Sequence, residues 1–181
     1  MCGIFGIARS SLSSLPGGDI LDLMSRLYRI SESRGKEASG IAVRLPGDIK
    51  LYKTPQPASE MIQSDTYKKI TSSANAAIDE NGLLTMIGHS RLVTNGDQTK
   101  YDNNQPMFKG RAVAVHNGIV VNVDHLWKKH TDIEKKSELD SEVILALLDK
   151  YRSDHGQNLG LALHKTFSEI EGMASIASVF Q

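Results

Sequence analysis

Cys2 is the residue with the clearest potential for chemistry in this 181-residue chain, and it is the single cysteine of the sequence. Methionine aminopeptidase usually removes Met1 when a small residue follows. Cys2 would then carry a thiol and a free α-amine, groups whose ordinary pKa values in peptides are about 8.5 and about 7.7–8.0. Because such an amine can activate the thiol, one residue would supply a nucleophile and its base. The alternative is a small buried hydrophobic residue, the usual role of a lone cysteine.

Asn117 and Gly118 could stabilise the negative oxygen that forms when a nucleophile attacks an amide. They lie between the apolar runs of "AVAVHNGIVVN". The side-chain amide of Asn117 and the unobstructed backbone N–H of Gly118 are suitable donors for an oxyanion. The same pair is typical of a type I′ hairpin turn. From these two residues alone, the turn is the stronger interpretation.

Arg91 and Asp140 could recognise the two charged groups of a free amino acid. A guanidinium can bind both oxygens of an α-carboxylate, and a carboxylate can pair with an α-ammonium. The alternatives are a solvated surface arginine and a helix-capping aspartate, since "LDSEV" is a good capping sequence.

His89 and His116 lie at predicted strand ends beside these residues and suggest acid–base chemistry. The stronger interpretation for both is a histidine in the core or behind the site. Neither has the spacing to other His, Cys or Asp residues that a metal site requires, so we expect no metal.

The overall composition limits the classes of partner. Lys and Arg number 21, as do Asp and Glu, so the formal net charge of zero argues against a dedicated nucleic-acid or anionic-membrane binder. A single cysteine cannot form an internal disulfide, which favours a reducing compartment. The first apolar stretch is too short for a signal peptide or a membrane span. We therefore expect a cytoplasmic protein, with self-association left open.

Apolar patterns predict the elements that position these residues. "CGIFGIA" and "LLTMIGHS" are typical of buried strands, and Ile20, Leu23, Met24 and Leu27 have helical spacing. The polar segment "RLVTNGDQTKYDNNQP" is the kind of loop that often carries function. Two helical patterns follow, and "MASIASVF" is a last strand. This order predicts an α+β or layered α/β fold.

Short motifs along nearly the whole chain resemble a known family. They are "SRGKEASG" at 33–40, "GHSRLVTNG" at 88–96, "NNQPM" at 103–107, "VHNG" at 115–118 and "ELDSEVI" at 138–144. In this order behind Cys2, they resemble the glutaminase domain of class II glutamine amidotransferases, which are N-terminal-nucleophile (Ntn) hydrolases. The resemblance implies a four-layer αββα sandwich of the α+β class, either whole or C-terminally incomplete. Residues 1–181 would form one glutaminase domain, with no synthase domain present.

The resemblance also implies the reaction and its principal residues. Cys2 would attack the side-chain amide of L-glutamine and release ammonia, with Asn117 and Gly118 binding the oxyanion. Arg91 and Thr94 would bind the α-carboxylate. No cofactor is implied, and a synthase domain or subunit outside this chain would accept the ammonia.

The remaining implied roles are the ammonium partner and the supporting positions. Asp140 would bind the α-ammonium of glutamine. The Arg34-Gly35 pair would lie near the nucleophile, and His89 would have a supporting role.

The motifs favour the glucosamine-6-phosphate synthase group narrowly over amidophosphoribosyltransferases. Leu92 replaces the tryptophan that normally follows the arginine in the first group, which leaves the closure of the loop over glutamine undetermined. The chain lacks a synthase domain, so we expect a fragment of a larger synthase rather than a separate glutaminase subunit. Two alternatives are an Ntn amidohydrolase for another amide and a non-catalytic glutamine-binding or assembly domain.

Overall fold

Two antiparallel sheets form the centre of the protein. The computed structural model describes residues 2–92 and 96–181, except for the side chain of Asn81. The first sheet has the order β1-β4-β2-β3 and the second the order β5-β6-β7. The strands are β1 (Gly3–Arg9), β2 (Ala38–Leu45), β3 (Asp48–Thr54), β4 (Leu84–Arg91), β5 (Met107–Lys109), β6 (Ala112–Val120) and β7 (Gly172–Phe180).

Six helices connect these strands within the described residues. They are α1 (Gly17–Ser31), α2 (Ala58–Met61), α3 (Asp65–Asn81), α4 (Val123–Lys129), α5 (Ser141–Asp154) and α6 (Leu159–Glu169). Ile20, Met24 and Tyr28 follow one another at a spacing of four residues, and all three are buried in α1. The predicted helix is therefore confirmed, with Ile20 and Met24 on its buried side, but Leu23 is 47% exposed.

Side-chain alternation along the strands separates the layers. Ile41 and Val43 of β2 pack in the cluster with α1, α2 and α3, whereas Ala42 joins the cluster between the sheets. Val113 and Val115 of β6 face the same inter-sheet space. The opposite side of the second sheet packs against α4 and α5. The predicted four-layer αββα arrangement of the α+β class is thus confirmed.

The hairpin interpretation of Asn117-Gly118 is wrong. Strand β6 continues through both residues, which pair with Ser175 and Ala174 of β7. A Cβ atom at position 118 would overlap with the carbonyl oxygen of Met173. Glycine is required there because the two backbones approach closely, and not because the chain reverses.

No helix among the described residues is long and apolar enough to cross a membrane.

Tyr28 joins the helical layer to the first sheet. Its hydroxyl donates a 2.6 Å hydrogen bond to the carbonyl oxygen of Gly40, and the residue has no exposed surface. Its ring packs edge-on against Phe5 and Tyr67. Burial raises the pKa of Tyr28, so the hydroxyl remains a donor.

We predict that Tyr28→Phe lowers the free energy of unfolding by about 1–3 kcal/mol, because the buried Gly40 carbonyl loses its partner. Urea titration with an unchanged m-value measures the loss. The matched control is Tyr101→Phe, at a residue that is 57% exposed, which should stay within about 0.5 kcal/mol. Equal effects of the two substitutions would contradict this prediction.

Candidate active site

Several of the predicted site residues lie on strands that border the space between the sheets. Strand register places Gly3 opposite Ser90 and Ala38 opposite Arg91, so Cys2 lies beside the end of β4. Ile87 of β4 faces the space between the sheets, and His89 and Arg91 lie on the same face of this strand. Asn117 likewise follows Val113 and Val115 on the inward face of β6. The fold therefore packs β1 and β4 against β6, with His89 near His116.

Backbone groups surround Cys2. Its Sγ atom lies 3.6 Å from the carbonyl oxygen of Leu92 and can donate to it. The Nε atom of Arg34 donates to the Cys2 carbonyl oxygen over 3.2 Å. Cys2 is half-buried, which leaves the thiol partly accessible.

Gly35 allows the loop before β2 to approach the end of β4. A Cβ atom here would overlap with the backbone of Arg91 and Leu92. The next turn is fixed by the N–H of Glu37, which donates to the Arg91 carbonyl oxygen over 3.2 Å. Arg34 thus lies beside Cys2 and Gly35 beside the end of β4, and their supporting role stays a prediction.

Arg91 is held in a defined orientation although its charge is almost wholly buried. Its side chain is 3% exposed. One terminal nitrogen donates to Asn104 Oδ1 over 2.7 Å, and the other donates to the Gly96 carbonyl oxygen over 3.0 Å. Burial lowers the pKa of Arg91, whereas Cys2, Glu37 and Asp97 raise it. The interpretation of Arg91 as a solvated surface residue is therefore wrong.

The segment that holds Arg91 is itself fixed by two buried asparagines. Asn103 donates to Glu138 over 2.8 Å, and Asn104 donates to the Gln98 carbonyl oxygen over 2.6 Å. The Nζ atom of Lys53 donates to the Asn104 carbonyl oxygen over 2.8 Å. The sequence signalled these positions through "NNQPM" but gave them no role. Thr94, the other predicted carboxylate ligand, lies outside the described residues.

Asp140 caps helix α5 and also contacts β6. One carboxylate oxygen accepts from the Ser141 N–H over 2.8 Å, and the other accepts from the Val120 N–H over 2.9 Å. The capping interpretation is therefore confirmed. Its role as an ammonium ligand stays a prediction.

A row of backbone N–H groups lies along the edge of β6 that faces away from β7. The ladder with β5 ends at the pair of Met107 and Ala114. In a strand, N–H groups two residues apart point the same way. The His116 N–H donates to Gln105 Oε1 over 2.5 Å, and the Val120 N–H donates to Asp140. Gly118 lies between them, and no described residue accepts its N–H. This donor is available to a ligand.

The two predicted histidines are buried and neutral. His89 is 1% exposed, and among the described residues neither ring nitrogen makes a hydrogen bond of standard geometry, although the His116 backbone lies close to the ring. Burial, with the charge of Arg91 and the nearby His116, lowers the pKa of His89 to about 3. Burial also lowers the pKa of His116, against the opposing effect of Asp140. Neither is suited to accept a proton near neutral pH, which favours the interpretation of supporting residues.

Residues 2–92 and 96–181 contain no group of three or more His, Cys, Asp or Glu side chains that could hold a metal ion.

A cavity of about 660 Å³ lies between the edge strands β3 and β5 and is lined by residues such as Leu51, Lys53 and Phe108. Neither Cys2 nor Asn117 lines it. The cavity is therefore separate from the candidate active site.

His89 should make stability depend on pH. The unfolded chain binds a proton at this position below about pH 6.5, whereas the folded protein does so only near pH 3. Stability from the neutral histidine is therefore complete above about pH 6.5 and is lost as the pH falls. We predict that the unfolding free energy of wild type relative to His89→Gln falls by up to about 1.4 kcal/mol per pH unit between pH 6 and 4.

Urea titrations at several pH values measure this difference. His125→Gln, at an exposed residue of α4, is the matched control and should leave the pH profile of wild type unchanged. Parallel profiles for wild type and His89→Gln would contradict the assignment of a neutral buried His89.

Comparison with known proteins identifies the family. Residues 89–181, slightly more than half of the chain, match the family model described as a glutamine amidotransferase domain. Glutamine–fructose-6-phosphate aminotransferase (isomerizing) of Staphylococcus epidermidis is 32% identical over 174 residues, covering 94% of this chain and 25% of the relative. The enzyme of the same name from Xylella fastidiosa is 29% identical over 183 residues, covering 100% and 27%. The chain thus spans about a quarter of the length of these relatives.

Solved structures share the fold. Glutamine phosphoribosylpyrophosphate amidotransferase from B. subtilis, in complex with ADP and GMP, has a TM-score of 0.63 at 22% identity, covering 99% of this chain and 34% of that one. A structure described as the allosteric regulatory enzyme of purine biosynthesis has a TM-score of 0.71 at 20% identity, covering 99% and 35%. The predicted relationship to class II glutamine amidotransferases is confirmed, and the chain belongs to the glutamine amidotransferase domain family.

Proposed function

We propose that this domain hydrolyses the side-chain amide of L-glutamine, with Cys2 as the nucleophile after removal of Met1. The observation that carries the proposal is the N–H of Gly118, directed at a free edge of β6 between two neighbours whose N–H groups are already bound. Oxyanion stabilisation requires such a preorganised donor. The side chain of Asn117, on the inward face of the same strand, would supply a second donor.

The proposed reaction has two stages. The α-amine of Cys2 takes the thiol proton, and the sulfur attacks the amide carbon of glutamine. The resulting oxyanion binds to Gly118 and Asn117, the amine returns the proton to the leaving nitrogen, and ammonia departs. Water then attacks the thioester by the same route and releases glutamate. An amine within Cys2 fits the surroundings of the thiol, because the hydrogen bond of Sγ among the described residues is to a backbone carbonyl.

Arg91, Thr94 and Asp140 would bind the amino-acid end of glutamine. Arg91, already oriented by Asn104 and Gly96, would bind the α-carboxylate with help from Thr94. Asp140 would bind the α-ammonium, and its position near the positive end of α5 fixes that carboxylate. Arg34, Gly35 and His89 would keep the surroundings in place.

We further propose that residues 1–181 are the glutaminase part of a longer synthase that accepts the ammonia. The curated relatives favour a sugar phosphate as acceptor, since their name specifies fructose-6-phosphate. An amidophosphoribosyltransferase is the second candidate, because the similar folds come from that group. A cytoplasmic location and self-association stay predictions.

Cys2→Ala tests the nucleophile. After mass spectrometry has verified the N-terminus, we expect the variant to lose glutamine hydrolysis by about 10³-fold or more, because no other group can form the thioester. Release of glutamate and ammonia measures the rate. Ser10→Ala, at an exposed position after β1, is the control. Wild-type turnover in Cys2→Ala would refute the proposal, and preference for amides without an α-amino acid end would favour another Ntn amidohydrolase.

Arg91→Lys tests the carboxylate site. Because lysine cannot reproduce the two-pronged contact of a guanidinium, we expect KM for glutamine to rise about 10–100-fold, with kcat changed by less than about 3-fold. Arg26→Lys, at an exposed residue of α1, should change neither constant. An unchanged KM in a folded Arg91→Lys protein would exclude Arg91 from the glutamine site.

A further inference from the structure

Gln105 occupies an unusual place at the end of the ladder between β5 and β6. Register in this ladder pairs Met107 with Ala114 and Phe108 with Val113. Continued by two residues, it would place Gln105 opposite His116. The backbone does not pair there, and the His116 N–H instead donates to the side-chain oxygen Oε1 of Gln105 over 2.5 Å. The Gln105 side chain thus takes the place of the backbone carbonyl that would accept from His116 in a continued ladder.

This replacement decides which part of β6 stays open. If β5 ran on antiparallel to β6, its backbone carbonyls would accept from the N–H groups of His116 and Gly118 in turn. The Gln105 side chain accepts from the His116 N–H and from no other N–H of this edge in the described residues. The Gly118 N–H is therefore left for a ligand. The residue is 7% exposed, so water does not compete freely for its amide.

The Gln105 amide is held on its other side by helix α5. Its Nε2 atom lies 3.4 Å from Ser141 Oγ, which in turn lies 2.7 Å from His116 Nδ1. The three side chains therefore close a small buried ring over the backbone of β6. The close packing of Gly40 against the Gln105 carbonyl oxygen fixes the backbone at this point.

We propose that Gln105 is a positioning residue that sets the oxyanion-binding segment of β6 by binding the His116 N–H. It does not touch the substrate. Its amide fixes the peptide plane two residues before Gly118 and keeps the Gly118 N–H unpaired and correctly directed. The inference rests on the proposed glutamine hydrolysis and adds to it a residue to which no role has been assigned.

The proposal predicts a particular kinetic pattern. An oxyanion donor acts on the transition state more than on bound glutamine, so its misplacement lowers kcat and leaves KM nearly unchanged. Removal of one such donor costs about 10²–10³-fold in kcat. Because Gln105 acts indirectly, we expect a smaller loss of about 10–100-fold.

The decisive variant is Gln105→Met, which keeps the length of the side chain and removes its acceptor. We expect kcat for glutamine to fall about 10–100-fold, with KM changed by less than about 3-fold. Binding of the γ-aldehyde analogue of glutamine should weaken by a similar factor. The thiol adds across the C=O bond of this aldehyde and its proton passes to the α-amine, so the new C–O⁻ oxygen occupies the oxyanion position. Alkylation of Cys2 by iodoacetamide, which needs no oxyanion donor, should keep its wild-type rate.

Two further variants make the test specific. Gln63→Met, at an exposed residue after α2, is the matched control and should behave as wild type. Ser141→Ala removes the hydroxyl behind the ring and should lower kcat by about 3–10-fold in the same pattern. This variant preserves the test if Gln105→Met does not fold.

The outcomes separate the two proposals. A wild-type protein without glutaminase activity would contradict the proposed function. An active wild type with unchanged kcat and aldehyde binding in Gln105→Met and Ser141→Ala would overturn the positioning role alone. A loss of kcat that is matched by slower alkylation of Cys2 would also overturn it, because the effect would then be general to the site.

Discussion

The early end of β5 is the constraint on which the candidate site depends. Strand β6 runs to Val120, but its ladder with β5 stops at Ala114. Strand β6 therefore has a paired edge along β7 and an open edge beyond Ala114. Buried backbone N–H groups need acceptors. On the open edge, the His116 and Val120 N–H groups donate to the side chains of Gln105 and Asp140. Gly118 between them is exposed, so its N–H can bind a ligand in place of water.

Close backbone approach is the second requirement of the site. Gly35 lets the loop before β2 reach the end of β4, and Gly118 lets β7 lie close to β6. A side chain at position 35 would displace the end of β4, which carries Arg91, and one at position 118 would separate β7 from β6, which carries Asn117. These two glycines thus serve the geometry of the site through their small size, and their backbone flexibility is not what the site uses.

The charge of Arg91 affects the protonation of the histidine beside it. Arg91 is a buried cation that donates to Asn104 and Gly96, and Glu37 and Asp97 also act on its charge. Burial and this cation together keep His89 neutral. A site arranged in this way cannot rely on His89 as a base, which is consistent with the proposed role of the Cys2 α-amine.

The sequence by itself determined the types of the candidate site residues, the fold class and the family. Helical and alternating patterns predicted the α+β layers, because they record which face of each element is buried. The order of short motifs behind Cys2 predicted the family. Only the tertiary structure decided the meaning of Asn117-Gly118, which local propensity favours as a turn. It also revealed Gln105, Asn104 and Ser141 as parts of one network. Hydrogen bonds between residues far apart in the chain leave no periodic signal, so the register of the sheets was needed to find them.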